Sequence, residues 1–159
     1  MKKQYKNIAS VNITDLQRRA KLSHNKIRRL TKVVLLILRK PAELNLIFVS
    51  DAKIRSLNRL FHGSNRATDV LAFETPAQWP ASRFQKLLFG EIVISVDRVC
   101  VYAKRFKVPP DEELMRYVVH GILHLIGERD DVIHRRNQMI KHQEQLLDAI
   151  RPIGKIINY

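Results

Sequence analysis

The chain has a single cysteine among its 159 residues, Cys100, which excludes an intrachain disulfide and any metal cage built from several thiolates. A metal site in this protein has to be made from histidine and carboxylate. Long apolar runs are also missing: the longest uninterrupted aliphatic stretch is Val33 to Leu38, far short of the roughly 18 residues a membrane span needs. Positive charge in the first seven residues, Met1 to Asn7, is not followed by an apolar segment, so no secretory leader is expected and the cytoplasm is the expected location. No internal repeat and no linker-like stretch divides the chain. Acids are scarce as well, with 15 Asp and Glu against 29 Lys and Arg, giving a net charge of +14 and a pI near 10.3. Otherwise the composition is that of one globular domain, 45% hydrophobic and 28% charged, long enough to bury roughly 70% of its unfolded surface in one core.

The positive excess is not spread evenly. Residues 1 to 40 hold 12 basic residues and one acid, Asp15, while the remaining residues hold 17 basic and 14 acidic ones. Arg18, Arg19 and Lys21, then Lys26, Arg28, Arg29, Lys32, Arg39 and Lys40, crowd cations where a phosphate backbone can be neutralised. Few aromatics are interleaved there, so phosphates rather than stacked bases are the expected partner. A basic face that serves solubility or touches anionic lipid is the competing reading.

Periodicity predicts an opening strand over 5–13 and an amphipathic helix over 25–39, with Ile27, Leu30, Val34 and Ile37 or Leu38 on its apolar face, Ser23 as cap and Pro41 beyond its end. A strand over 43–50 precedes a short helix capped by Asp51 and running to Phe61, then a loop at 63–65 and strands at 69–73 and 91–94. A loop containing Trp79 separates the last two strands. Helices follow over 95–107 and from about Asp111, the second apolar on nearly every side and therefore central. A last helix is expected to be capped by Asp131 and to bury Ile133, Ile140 and Leu147. The predicted fold is α+β: a single domain over 1–159, with a central mixed four-stranded sheet, about five helices and a metal site on the buried helix.

That buried helix carries the chemistry. In His120-Gly121-Ile122-Leu123-His124-Leu125-Ile126-Gly127-Glu128-Arg129-Asp130, two imidazoles four residues apart share one helix face, about 40° apart around the axis. Gly127 stands where the helix must reverse, and Asp130 can then swing back toward the histidines. The pattern H-x3-H-x2-G-x2-D supplies two nitrogens and one oxygen and leaves a position open for water, whose pKa a bound metal lowers. Two histidines at this spacing alone are more often hydrogen-bonded core or surface residues; the glycine and the acid shift the balance. A zinc protease needs glutamate directly after the first histidine, where this chain has Gly121.

Three blocks together resemble the YbeY family of single-domain, metal-dependent endoribonucleases associated with ribosomal RNA maturation and ribosome quality control. The first is Leu57-Asn58-Arg59-Leu60-Phe61-His62-Gly63 with Ala67-Thr68-Asp69-Val70-Leu71-Ala72-Phe73, similar to L-N-x-x-Y-R-G and P-T-D-V-L-S-F. The second, Gly90 to Ser95, is similar to G-D-I-V-I-S, and the third is the His120 segment, similar to H-G-x-L-H-L-x-G-Y-D-H. The resemblance implies a cytoplasmic zinc enzyme that prefers single strands, with His120, His124 and Asp130 as metal ligands and ribosomal RNA precursors or a ribosomal subunit as partner, and with no membrane or DNA involved. Asp130 stands where the family has its third histidine, and His62 where it has an arginine expected at phosphate. The resemblance makes His62, Arg59 and Arg66 the candidates for assisting cleavage. The alternative it leaves is an RNA-binding ribosome-assembly factor without hydrolysis. Thr68 and Asp69 match the family's pair but equally fit a turn cap. His134, Glu128 and Asp131 are the other candidate third ligands, His142 is expected in solvent, and Cys100 in the core.

Overall fold

The alternation in Ala42-Glu43-Leu44-Asn45-Leu46-Ile47-Phe48-Val49 is what a central strand needs, because successive side chains point to opposite sheet faces. In the computed structural model, which describes residues 9–75 and 87–158, Ala42, Leu44, Leu46 and Phe48 are fully buried on one face of this strand. In chain order the elements are β1 (Ala9–Asp15), β2 (Lys21–Leu22), α1 (His24–Ile37), β3 (Ala42–Val49), α2 (Asp51–His62), β4 (Val70–Glu74), β5 (Leu88–Ser95), α3 (Val96–Phe106), α4 (Pro110–Leu125), α5 (Ile133–Ile150) and β6 (Ile157–Asn158).

The main sheet has the order β1-β3-β5-β4. β1 and β5 run parallel to β3, and Leu46 lies level with Ile13 on one side and Ile92 on the other. β4 is antiparallel to β5 and forms one edge. This is the α+β domain with a mixed four-stranded sheet that the sequence predicts. One face of the sheet carries the larger core with residues of α1, α3, α4 and α5, including Val34, Val99, Ile122 and Leu147. The other face carries a small cluster, Val49, Ile54, Leu71 and Val93, under α2. β2 and β6 pair in a separate two-residue ribbon too short to leave any periodic trace in the sequence.

The elements fall near their expected places, but several of their ends are made differently. Residues 5–8 of the expected opening strand and the Trp79 loop lie outside the described residues. Ser23 does precede α1, yet its side chain caps nothing. Ser50, not Asp51, caps α2 by accepting from the Lys53 N–H, and Asp51 is freed to accept from the Ser95 hydroxyl at 2.6 Å and to pair with Arg98. Val132, with no side-chain cap, starts α5, while Asp131 pairs with Arg135. Ile133 and Ile140 of the expected buried seam are exposed, because α5 turns Met139, Gln143, Leu146, Leu147 and Ile150 inward instead. Cys100 is half-buried at the margin of the larger core rather than inside it.

Gly121 explains itself in this packing. A Cβ built there would lie 2.4 Å from the Ile92 Cγ2, so a side chain at this position would push α4 off β5. The residue after the first histidine is therefore fixed by the close approach of helix and sheet, and the chain has no room for a protease's glutamate.

Candidate metal centre

Pro110 at the first helical position and Asp111, Glu112 and Glu113 in the first turn open α4 against the helix dipole. Two turns of almost wholly buried residues then deliver His120 and His124 to its far end. Their rings stand nearly perpendicular, 87° apart, with centroids 4.5 Å apart, and the two Nε2 atoms face each other at 3.0 Å. The helix is closed by the Gly127 N–H donating to the His124 carbonyl at 3.0 Å and the Glu128 N–H donating to the Leu123 carbonyl at 2.9 Å. Gly127 takes φ +99°, a left-handed conformation that side-chain-bearing residues rarely adopt. The reversal puts Asp130 Oδ2 3.9 Å from His120 Nε2 and 3.8 Å from His124 Nε2. Arg136 donates to the Asp130 carbonyl through Nε and Nη2 at 3.3 and 3.2 Å, which ties the returning chain to α5.

The outer atoms of the imidazoles decide the tautomers. His120 Nδ1 lies 3.0 Å from the Gln143 Oε1, and His124 Nδ1 lies 3.1 Å from the Glu128 carbonyl. The Gln143 amide is oriented by its Nε2 donating to Glu144 Oε1 at 3.4 Å, so its oxygen faces the imidazole. Both partners are acceptors; each ring therefore carries its proton on Nδ1 and turns a bare Nε2 lone pair inward. With the Asp130 carboxylate, three acceptors converge with no donor between them, an arrangement that is repulsive until a cation enters it.

The donor set fits a divalent ion of the zinc class, two imidazole nitrogens and one carboxylate oxygen. Bonds of about 2.05 Å in tetrahedral geometry imply ligand separations of about 3.3 Å. The 3.0, 3.8 and 3.9 Å found here bracket that value. Among the described residues this is the one group of three metal-ligating side chains whose donor atoms all lie within 4.8 Å of one another.

Burial, reinforced by His124, holds the His120 imidazole below its ordinary pKa, against the opposing pull of Gln143, Asp130 and Asp69. The ring is thereby kept in the neutral form that a metal requires. Burial likewise pushes the Tyr117 phenol well up, with the charges of Asp69 and Glu113 adding to it. Asp69 thus lies within electrostatic reach of the site from the start of β4. Its carboxylate accepts from the Thr68 hydroxyl at 3.1 Å, and among the described residues neither side chain accepts from a backbone N–H as a turn cap would.

The other candidates fall elsewhere. His134 is exposed on α5, and Asp131 is paired with Arg135 at 3.0 Å and Arg129 at 3.8 Å. Glu128 supports His124 through its carbonyl while its side chain is in contact with His142 Nδ1, so His142 is tied to the site's edge and not a solvated bystander. Arg59, His62 and Arg66 are exposed on α2 and the loop after it, and among the described residues no hydrogen bond or ion pair joins them to the three ligands. Gln143, the Glu128 carbonyl and Arg136 are supports the sequence did not single out. Gln143 had a signal, a polar residue on the stripe of α5 that is otherwise apolar, but reading it required knowing which stripe is buried.

The fold and this centre define a class: a one-domain α+β protein whose buried helix and following turn present a His/His/Asp group able to take a metal ion. A family profile described as Endoribonuclease YbeY matches residues 12–151, and the chain belongs to that family. It is similar to an endoribonuclease YbeY of Thermodesulfovibrio yellowstonii, 31% identical over a 159-residue alignment covering 90% of this chain and 98% of that protein. An endoribonuclease YbeY of Treponema denticola is 38% identical over 106 residues, 66% of this chain and 68% of the relative. The solution structure of TM1509 from Thermotoga maritima superposes with a TM-score of 0.57 at 26% identity, covering 91% of this chain and 95% of that one.

Proposed function

We propose that this protein is a zinc-dependent endoribonuclease that cuts single-stranded regions of ribosomal RNA precursors in the cytoplasm. The observation that carries the reading is the convergence of two bare Nε2 lone pairs and one carboxylate, held from behind by Gln143 and the Glu128 carbonyl. His120, His124 and Asp130 are the ligands. A bound zinc-class ion supplies Lewis-acid charge for phosphoryl oxygens and makes water easier to deprotonate. The chain's own contribution is orientation and counter-charge: imidazoles whose outer nitrogens are held by Gln143 and the Glu128 carbonyl, and the exposed cations Arg59 and Arg66, with His62, as candidates to hold flanking phosphates or pass a proton.

Electrostatic attraction for RNA comes also from the first 40 residues, though not from every cation there. Arg28 Nε donates to the Val11 carbonyl at 2.9 Å and Lys26 Nζ to the Lys155 carbonyl at 3.2 Å, so these two fasten α1 to its neighbours. Arg29 and Lys32 are exposed and free to meet phosphates. Metal analysis of the purified protein, joined to cleavage of a ribosomal RNA precursor with and without chelator, tests the proposal. Cleavage that chelator abolishes and zinc restores is the expected result. Metal-loaded protein that binds the precursor and leaves it intact would make this a non-catalytic ribosome-assembly factor.

A further inference from the structure

Helix α2 ends in two large apolar side chains turned to solvent, Leu60 at 74% and Phe61 at 58% exposure. A single exposed phenylalanine needs no explanation. Phe61, however, is one of three rings assembled on a common floor. Its centroid lies 5.0 Å from that of Phe73 on β4, tilted by 56°, and the His62 ring lies nearly parallel to Phe73, 13° off plane at 6.2 Å. Phe73 in turn packs against the buried cluster of Val49, Ile54, Leu71 and Val93, which fixes the floor to the sheet.

The helix and loop that carry the two outer rings are basic, while the floor strand brings acids, Glu74 beside Phe73 and Glu91 opposite it. Residues 52–68 contain Lys53, Arg55, Arg59 and Arg66 and no aspartate or glutamate. The loop is pinned to α2 by the Asn58 side-chain amide donating to the Arg66 carbonyl at 2.9 Å and by Arg55 Nε donating to the carbonyl and side-chain oxygens of Asn65, both at 3.1 Å. Among the described residues no carboxylate pairs with Arg59 or Arg66. Exposed rings on a rigid floor, flanked by unpaired guanidiniums, are what a single-stranded nucleic acid engages through base stacking and phosphate contacts together.

The position relates to the metal centre through β4, the edge strand. A Cβ built at Gly90 would lie 2.7 Å from the side chain of Leu125, the residue after His124, and 3.1 Å from the Phe73 carbonyl, so the C-terminal end of α4 lies beside the floor of the three rings. We infer that Phe61 and His62, seated on Phe73, form a base-stacking shelf for the single strand that flanks the cleavage position. The shelf rests on the RNA-cleaving reading given above. It gives that reading a structural source for single-strand preference, since a duplex keeps its bases stacked on one another.

Binding of a short single-stranded oligoribonucleotide carrying 2-aminopurine at successive positions tests the shelf in the zinc-loaded full chain. Phe61→Leu keeps an apolar side chain at a solvent-exposed site and removes the ring face; Phe61→Trp enlarges that face. Phe61→Leu is expected to weaken binding about 5- to 100-fold, with metal content and the slope of log affinity against log salt unchanged, and Phe61→Trp is expected to restore it. An oligonucleotide abasic at the quenched position should bind wild type as weakly as the intact one binds Phe61→Leu. Equal affinity of wild type and Phe61→Leu, or no loss on removing the base, would overturn the shelf while leaving precursor cleavage by the wild type untouched. Intact stacking signals in a wild type that never cleaves would support the shelf and sink the catalytic reading instead.

Discussion

The two ends of helix α4 are built from the same kinds of residue and do opposite things with them. At the N-terminal end, Arg116 donates to Glu112 at 2.8 Å, Glu113 at 2.5 Å and Glu144 at 2.9 Å, and Arg151 reaches Glu112 at 2.7 Å. Donors and acceptors there satisfy one another. Burial works against the charged guanidinium of Arg116, and the carboxylates of Glu144, Glu112 and Glu113 outweigh it, holding its pKa above the ordinary value. At the C-terminal end, His120, His124 and Asp130 present acceptors alone. Helix α5 serves both ends with adjacent residues, Glu144 for the closed network and Gln143 for the open one. A polar cluster that closes on itself stabilises the fold, whereas one that converges on shared acceptors stores a capacity to bind.

The sharpest way to break the comparison is to remove a ligand. His124→Ala and Asp130→Ala should each strip zinc from the dialysed protein, with affinity falling by more than the roughly 10–100-fold that an outer partner is worth, while the metal-free fold keeps its urea midpoint. Metal analysis and urea titration read the two separately, and full metal retention in Asp130→Ala would move the third ligand elsewhere. The mirror-image change at the other end is Arg116→Met. It leaves Glu113, 6% exposed, without its partner, and should cost roughly 2–4 kcal/mol of stability after allowance for partial exposure, with zinc affinity unchanged.

Gln143→Leu is expected to lower zinc affinity about 10–100-fold, because His120 loses the acceptor that fixes its tautomer, and Gln143→Glu should keep it. Competition with a chromogenic chelator measures both. The mildest test uses acid. Hydrogen bonds from Arg151 and Arg116 overcome burial to hold Glu112 below its ordinary value of 4.5, and Arg116 does the same for Glu144. Groups depressed on folding contribute stability that is complete above the unfolded pKa and disappears as pH falls through the folded one. Urea midpoints of the metal-free protein should therefore begin to decline below about pH 6.5, where the unfolded chain protonates His120 before the folded one does, with a further, steeper decline below about pH 5 as these glutamates lose their charge. Arg116→Met should flatten that decline.

Parts of this arrangement are legible in the sequence alone. His120, His124, Gly127 and Asp130 lie within 11 residues of one another, and helical spacing with one reversal brings them together by local geometry alone. The strands at 43–50 and 91–94 and the all-round apolar helix α4 announce themselves in the same way, because alternation and helical period are properties of neighbouring residues. The caps were less legible: Ser50 and Asp51 are both good caps, and the choice fell to Ser50 once Asp51 had Ser95 and Arg98 to bind.

The chain's own pattern thus determined the α+β domain, the basic N-terminal region and the identity of the three candidate ligands. Packing decided what no local pattern contains. Gln143 supports His120 from 23 residues away, Gly121 is required by Ile92 of a strand earlier in the chain, and Phe61 and His62 acquire a floor only where β4 brings Phe73 beneath them. Each of these depends on which faces two distant elements turn toward each other. That orientation is set by burying the whole core at once, so no short stretch of sequence carries it.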